Sequence, residues 1–186
     1  MRSLFSDLWV IFSVLMLAVP LALGRAQHQL KHDTTDAFKT FLAFPHAVAA
    51  FDADDDGDLD CMFVVRRYVD EESKTASYMW VLPSVNGIPA ENHTYYWREG
   101  LTPDKPVFTV DDGASGEQTA HFIYTNYENC AVADIPFKNK PNCGLWVIKD
   151  ALHSIPQECE DHFEDNCDMT VPVYDEETCK GVLDGI

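Results

Sequence analysis

The sequence predicts an all-β fold, an eight-stranded antiparallel barrel or sandwich, on three observations. Apolar and polar residues alternate with a period of two along much of the chain. The segments that do so are short and rich in β-branched and aromatic residues, and Gly, Pro, Asn and Asp punctuate them at regular intervals. Aromatic residues make up 12% of the chain and many fall on these segments, where they can face a shared interior.

Taken in order, residues 25–35 are polar and read as loose. Asp36-Ala37-Phe38-Lys39-Thr40-Phe41-Leu42 reads as one or two helical turns, with Thr34 or Thr35 as its cap. Strands follow at His46–Phe51, Leu59–Val69 and Thr75–Leu82, the last two joined by the polar turn Asp70-Glu71-Glu72-Ser73 as a hairpin. Further strands are read at Thr94–Trp97, Val107–Val110, Gln118–Tyr124, Ala131–Ile135 and Leu145–Ile148. Asn86-Gly87, Pro103-Asp104 and Asp111-Asp112-Gly113 separate some of them. A helical pattern returns at Pro156–Asp165, and Val171–Tyr174 is a last extended piece. On three strands the aromatics alternate on one face: Tyr78 with Trp80, Tyr95 with Trp97, and Phe122 with Tyr124.

The compartment is read from the first residues and from the cysteines. Arg2 precedes an apolar stretch from Leu8 to Leu23 that ends in Ala22-Leu23-Gly24, the layout of a secretory signal peptide. At about 15 residues the stretch is shorter than the roughly 20 that a spanning helix needs. Residues 1–24 are therefore expected to be removed, leaving 25–186 as one domain, secreted, extracellular and monomeric. All six cysteines (Cys61, Cys130, Cys143, Cys159, Cys167, Cys179) fall in that part, and an even count in a secreted chain reads as three disulfides. Six cysteines permit fifteen pairings, and spacing does not choose among them. The formal charge of −18 is the same with or without residues 1–24, since Arg2 and Asp7 cancel. So acidic a protein repels nucleic acid and anionic membrane surfaces, and would steer cations toward itself.

No catalytic arrangement stands out. The seven histidines (His28, His32, His46, His93, His121, His153, His162) show no metal-ligand spacing. There is no Gly-x-Ser-x-Gly, no phosphate-cradling glycine loop, and no cysteine left over as a nucleophile. The chain is read as a binding protein without a cofactor, not as an enzyme. Two local patterns remain. Asn92-His93-Thr94 is the one glycosylation sequon, which would mark Asn92 as surface. Asp52-Ala53-Asp54-Asp55-Asp56-Gly57-Asp58-Leu59-Asp60 reproduces the first half of a calcium loop, with Asp52, Asp54 and Asp56 at positions 1, 3 and 5 and Gly57 at the sharp turn. The pattern then fails, because position 12 is Phe63 where a bidentate Glu belongs and the flanks read as strands; the default reading is an acidic solvated turn.

Longer motifs carry a family resemblance. Tyr124-Thr125-Asn126-Tyr127-Glu128-Asn129-Cys130-Ala131-Val132, Cys143-Gly144-Leu145-Trp146-Val147 and Ile155-Pro156-Gln157-Glu158-Cys159 resemble the salivary lipocalins of ticks, the histamine-binding family. Asp36-Ala37-Phe38-Lys39 is similar to that family's Asp-Ala-Trp-Lys opening. The stretch from Phe44-Pro45-His46-Ala47-Val48 through Asp60-Cys61 looks similar to the japanin branch. The resemblance implies an eight-stranded lipocalin barrel with an N-terminal and a C-terminal helix. It implies bridges Cys61–Cys179, Cys130–Cys159 and, by elimination, Cys143–Cys167. It also implies sequestration of small mediators, such as histamine, serotonin, leukotrienes or sterol-like lipids, that blunts host inflammation and immunity.

The departures from the family pattern redirect the expected cargo. In the amine binders an inward Asp follows the residue equivalent to Cys130 and an inward Glu precedes Leu-Trp; here those places hold Ala131 and Gly144. A buried ammonium needs a carboxylate partner, and leaving it unpaired costs several kcal/mol. The expectation is therefore a larger, uncharged cavity for an apolar or amphipathic ligand. Tyr78, Trp80, Phe108 and Trp146 are expected as its walls beside Ala131 and Gly144, with Arg66 as a polar anchor. The alternatives are a biogenic amine held by other acids, Asp134 or Glu99, and a ligand-free packed barrel that engages a host immune-cell protein.

Overall fold

The computed structural model describes residues 33–85, 87–179 and 181–185. The Leu8–Leu23 stretch and the cleavage site expected after Gly24 lie outside the described residues, as does Asn86 of the Asn86-Gly87 turn. Among the described residues no helix is long and apolar enough to cross a membrane.

The all-β barrel is present. Its strands are β1 (His46–Asp52), β2 (Phe63–Asp70), β3 (Thr75–Leu82), β4 (Glu91–Arg98), β5 (Val107–Val110), β6 (Gln118–Thr119), β7 (His121–Thr125), β8 (Cys130–Asp134) and β9 (Cys143–Val147). They are ordered β6-β5-β4-β3-β2-β1-β9-β8-β7, and a short β10 (Val171–Pro172) pairs with the end of β1. Among the described residues nine strands thus follow one another around the barrel where eight were expected, because the segment read as Gln118–Tyr124 breaks at Ala120 into β6 and β7. That break closes the barrel. β6 pairs with β5 at one end of the order and β7 with β8 at the other. The Ala120 and Phe122 amides go on donating to the Pro106 and Asp104 carbonyls at 3.0 and 2.8 Å. One continuous stretch therefore seals the sheet and leaves no long open edge.

Period-two patterning tells which face each strand buries. In β3 the buried residues alternate, with Ala76, Tyr78, Trp80 and Leu82 turned inward. β8 and β9 are buried on both faces instead. Their inner residues Ala131, Ala133 and Trp146 join the barrel core, while Val132, Leu145 and Val147 pack outward with Phe163 of a helix. A strand covered on both sides reads as a continuous apolar run, which is how Ala131-Val132-Ala133 and Leu145-Trp146-Val147 stand in the sequence. One face assignment changes. A bulge between Phe122 and Tyr124 sends Phe122 inward and Tyr124 outward, where it stacks on His162 at 3.6 Å between ring centroids. Alternation places the two on one face only if the pairing is regular.

Among the described residues two α-helices complete the fold: α1 (Ala37–Ala43) and α2 (Gln157–Asn166). The cap of α1 is Asp36, not Thr34 or Thr35; its Oδ1 accepts hydrogen bonds from the Phe38 and Lys39 amides at 2.9 and 3.1 Å. The α1 start is tied to the barrel by the Ala37 amide donating to the Pro103 carbonyl and by Tyr127 Oη accepting from the Asp36 amide, both at 2.9 Å. α2 lies outside on β7, β8 and β9. Disulfides join Cys61 to Cys179, Cys130 to Cys159 and Cys143 to Cys167. The last two hold α2 against β8 and β9, and the first ties the approach to β2 to the C-terminal segment.

Candidate ligand-binding site

The barrel interior is a nearly continuous aromatic stack. Trp80 lies flat on Tyr95 with centroids 4.1 Å apart, and Tyr95 continues to Phe108 at 5.0 Å and Trp97 at 6.0 Å. At one end α1 drives Phe41 into this stack, 5.4 Å from Tyr78, 5.2 Å from Trp97 and 5.3 Å from Phe122. Phe41 therefore touches rings from β3, β4 and β7 at once and acts as a plug.

Two side chains fix the plug by taking up carbonyls that the last turn of a helix leaves without intrahelical partners. Tyr78 Oη donates to the Phe41 and Phe44 carbonyls at 3.0 and 2.6 Å. Arg66 Nη1 donates to the Phe41 and Leu42 carbonyls at 2.6 and 2.9 Å. Burial holds the Tyr78 phenol well above its ordinary pKa, so it remains a donor throughout the accessible pH range, with Arg66 pulling more weakly the other way.

Above the plug lies a cavity of about 50 Å³. Its walls include Thr40, Phe41 and Phe44 from α1 and its end, Tyr78 and Trp80 from β3, Trp97 from β4, Phe122 from β7, Ala131 from β8 and Trp146 from β9. No charged side chain is among its lining residues. Two of the lining residues, Trp97 and Trp146, have indole N–H groups that are buried without a hydrogen-bond partner. A buried indole N–H normally finds an acceptor, so both are donors left open in the barrel interior.

Four of the expected wall residues, Tyr78, Trp80, Ala131 and Trp146, meet at this cavity. Three do not. Phe108 is buried behind Tyr95 and Trp97. Arg66 is engaged with the α1 carbonyls and stands outside the lining. Gly144 is on the inner face, but the Trp146 indole lies over it: a Cβ there would sit 3.1 Å from Trp146 Nε1. The space beside Gly144 therefore does not add to the cavity, because the Trp146 ring occupies it. Gly144→Ala should cost about 1–3 kcal/mol through this overpacking, read from the denaturant midpoint. Phe41, Phe44, Trp97 and Phe122 line the cavity as well, and in the sequence only the shared parity of Tyr95 and Trp97 points to Trp97.

The acids offered as alternative amine partners lie elsewhere. Asp134 accepts from the Asn142 amide at 3.1 Å, and Glu99 is exposed beyond β4. At the opposite end of the barrel from α1, His93 Nδ1 is 2.8 Å from Asp111 and its Nε2 3.3 Å from Glu91, which also pairs with Lys138 at 3.0 Å. Partial burial works against a charged His93, but the hydrogen bonds to Asp111 and Glu91 prevail and raise its pKa above 6.5. The charged ring is thus favoured by folding. Its contribution is complete below the ordinary value and is lost as pH rises through the folded pKa. His93→Gln should flatten the decline in stability between about pH 6 and pH 8, measured by urea unfolding. The neighbouring Asn92 is exposed on β4.

The Asp52–Asp60 turn sits at that same end. Asp52 is buried, with Oδ1 accepting from the Ala53 amide at 2.7 Å. Oxygens of Asp52, Asp56 and Asp58 lie within 4.8 Å of one another. Asp54, expected in that group, is instead turned to accept from the Asp56 amide at 3.1 Å. Burial pushes Asp52 up to about 6; burial, reinforced by the Asp56 carboxylate, pushes Asp58 up to about 7.

The family model for the tick histamine binding protein matches residues 47–181. Among solved structures, the chain is similar to AM182 in its serotonin complex, at 18% identity and TM-score 0.58, over 81% of this chain and 97% of that one. It is similar to the amine binding protein of Rhodnius prolixus in its tryptamine complex, at 12% identity and TM-score 0.50, over 83% and 94%. It is also similar to japanin from Rhipicephalus appendiculatus bound to cholesterol, at 13% identity and TM-score 0.49, over 77% and 99%. No curated protein matches in sequence. The barrel, its capping helix and the family match over most of the described residues lead to one conclusion: the chain belongs to the tick histamine-binding protein family and has the lipocalin fold.

Proposed function

We propose that this is a secreted salivary lipocalin that takes an apolar or amphipathic small molecule, a sterol or lipid mediator, into its barrel and thereby modulates the host's immune and inflammatory response. The reading is carried by a cavity whose lining has no charged side chain and includes two tryptophans, Trp97 and Trp146, whose buried indole N–H groups have no partner. An ammonium placed there would be desolvated without a carboxylate, at a cost of several kcal/mol. A hydroxyl or carbonyl oxygen on an apolar skeleton would instead satisfy the indoles. At about 50 Å³ the cavity is well below the roughly 300–1,000 Å³ of drug-sized sites, so such a ligand must displace Phe41 and its neighbours as it binds. The three disulfides and the family support secretion, and exposed Asn92 is the expected site of N-glycosylation.

The small volume favours one second reading, in which the interior is core and the outer surface engages a host immune-cell protein. Mass spectrometry of an organic extract of the protein secreted from eukaryotic cells separates the two. A stoichiometric lipid or sterol whose affinity falls about five- to tenfold in Trp97→Phe supports the first. An empty protein that still alters immune cells supports the second. Tight serotonin or histamine binding by calorimetry, with no co-purifying lipid, overturns the apolar-cargo reading.

A further inference from the structure

We propose that the Asp52–Asp60 turn is a calcium site, with the carboxylates of Asp52, Asp56 and Asp58 as its protein ligands. The inference does not depend on what the barrel holds. Their oxygens lie within 4.8 Å of one another, and two ligands on opposite sides of one calcium ion stand about 4.8 Å apart, twice a bond of roughly 2.4 Å. Proximity of acids alone would carry little, since exposed carboxylates gather on many surfaces. Here Asp52 is 1% exposed, and its Oδ2 has no hydrogen-bond partner. Asp58 Oδ1 is likewise buried and unpartnered. Two buried carboxyl oxygens without a donor, set beside a third carboxyl, form a cluster of oxygen ligands that a cation would complete.

The surroundings fit a hard, oxygen-seeking ion. Asn142, buried on the loop between β8 and β9, donates through Nδ2 to Asp52 Oδ1 at 3.4 Å and leaves its own Oδ1 without a partner. Gly57 takes the left-handed turn, with φ of 76°, that brings Asp58 back toward Asp52. Among the described residues, Lys140 pairs with the cluster from its exposed side, its Nζ 3.3 Å from Asp56 Oδ2. The site is not an EF-hand. Phe63, at the place of the bidentate Glu, is buried with Val48 and Leu183, and Asp58 supplies a side chain where an EF-hand uses backbone. Calcium suits the set better than magnesium, which prefers one or two carboxylates and retains its water.

The test is calcium chloride titrated into the full secreted protein, followed by calorimetry and thermal unfolding. Saturable binding is expected with a Kd of about 10⁻⁴–10⁻³ M, the range of extracellular calcium modules. At ten times the Kd, the folded-to-unfolded ratio should rise roughly tenfold. Asp58→Asn should weaken calcium binding at least about tenfold. Asp56→Asn, at a more exposed position that leaves the fold intact, should do the same. Magnesium at equal concentration should give no comparable shift. Absence of heat and of any thermal shift at about 10 mM calcium, or wild-type affinity in both variants, overturns the proposal.

Discussion

Phe41→Ala will lower the stability of the chain by about 3–5 kcal/mol, the range for removing a buried aromatic ring from a packed interior. Phe41 is 5% exposed and meets Tyr78, Trp97 and Phe122 within one turn of α1. Its loss removes contacts to three strands and leaves the Tyr78 and Arg66 donors holding a helix end that no longer fills the barrel. Urea unfolding measures the change. The same variant bears on the cargo: with the plug removed, the cavity grows, and an apolar ligand that had to displace the ring should bind more tightly relative to the protein's own stability. A loss below about 1 kcal/mol would mean that α1 rests on the barrel without filling it. Tyr78→Phe is the milder companion. It keeps the ring and orphans the Phe44 carbonyl, for about 1–3 kcal/mol.

The second large effect belongs to the longest covalent loop. Replacing Cys61 and Cys179 together by alanine should cost about 4–5 kcal/mol, because the bridge closes a separation of 118 residues in the unfolded chain. Removing Cys143–Cys167, with a separation of 24, should cost about 3–3.5 kcal/mol on the same reasoning. Denaturant midpoints of the two double variants, each with the remaining bridges intact, decide the order. If the short loop proves the costlier, its bridge stabilises chiefly by holding α2 on β9 in the native state.

Much of the fold is legible because it is encoded by neighbours in sequence. Alternation over Thr75–Leu82 marks β3 and its inward Tyr78 and Trp80, and the apolar runs of β8 and β9 mark strands covered on both faces. Where a strand is irregular, that logic fails. The break at Ala120 turns one expected strand into two, and the bulge after Phe122 moves Tyr124 to the outer face. A single inserted residue reverses every later assignment on a period of two. The site is less legible than the fold. Tyr78, Trp80, Ala131 and Trp146 were reachable from parity and family motifs, whereas Phe41 and Phe44 come from a helix whose position over the barrel is a tertiary fact.

What the sequence by itself determined is an all-β chain with inward aromatics, six cysteines suited to three bridges, and the uncharged Ala131 and Gly144 on the strands that hold Cys130 and Cys143. These are properties of residue types and short spacings, which do not depend on distant partners. Only the tertiary structure decided how those residues are used. The room left by Gly144 is taken by the Trp146 ring, Arg66 binds helix carbonyls, and Asp58 replaces Asp54 beside Asp52 and Asp56. Each outcome depends on which groups from remote segments compete for the same space or the same hydrogen bond. In a close-packed interior that competition is settled by the whole barrel at once.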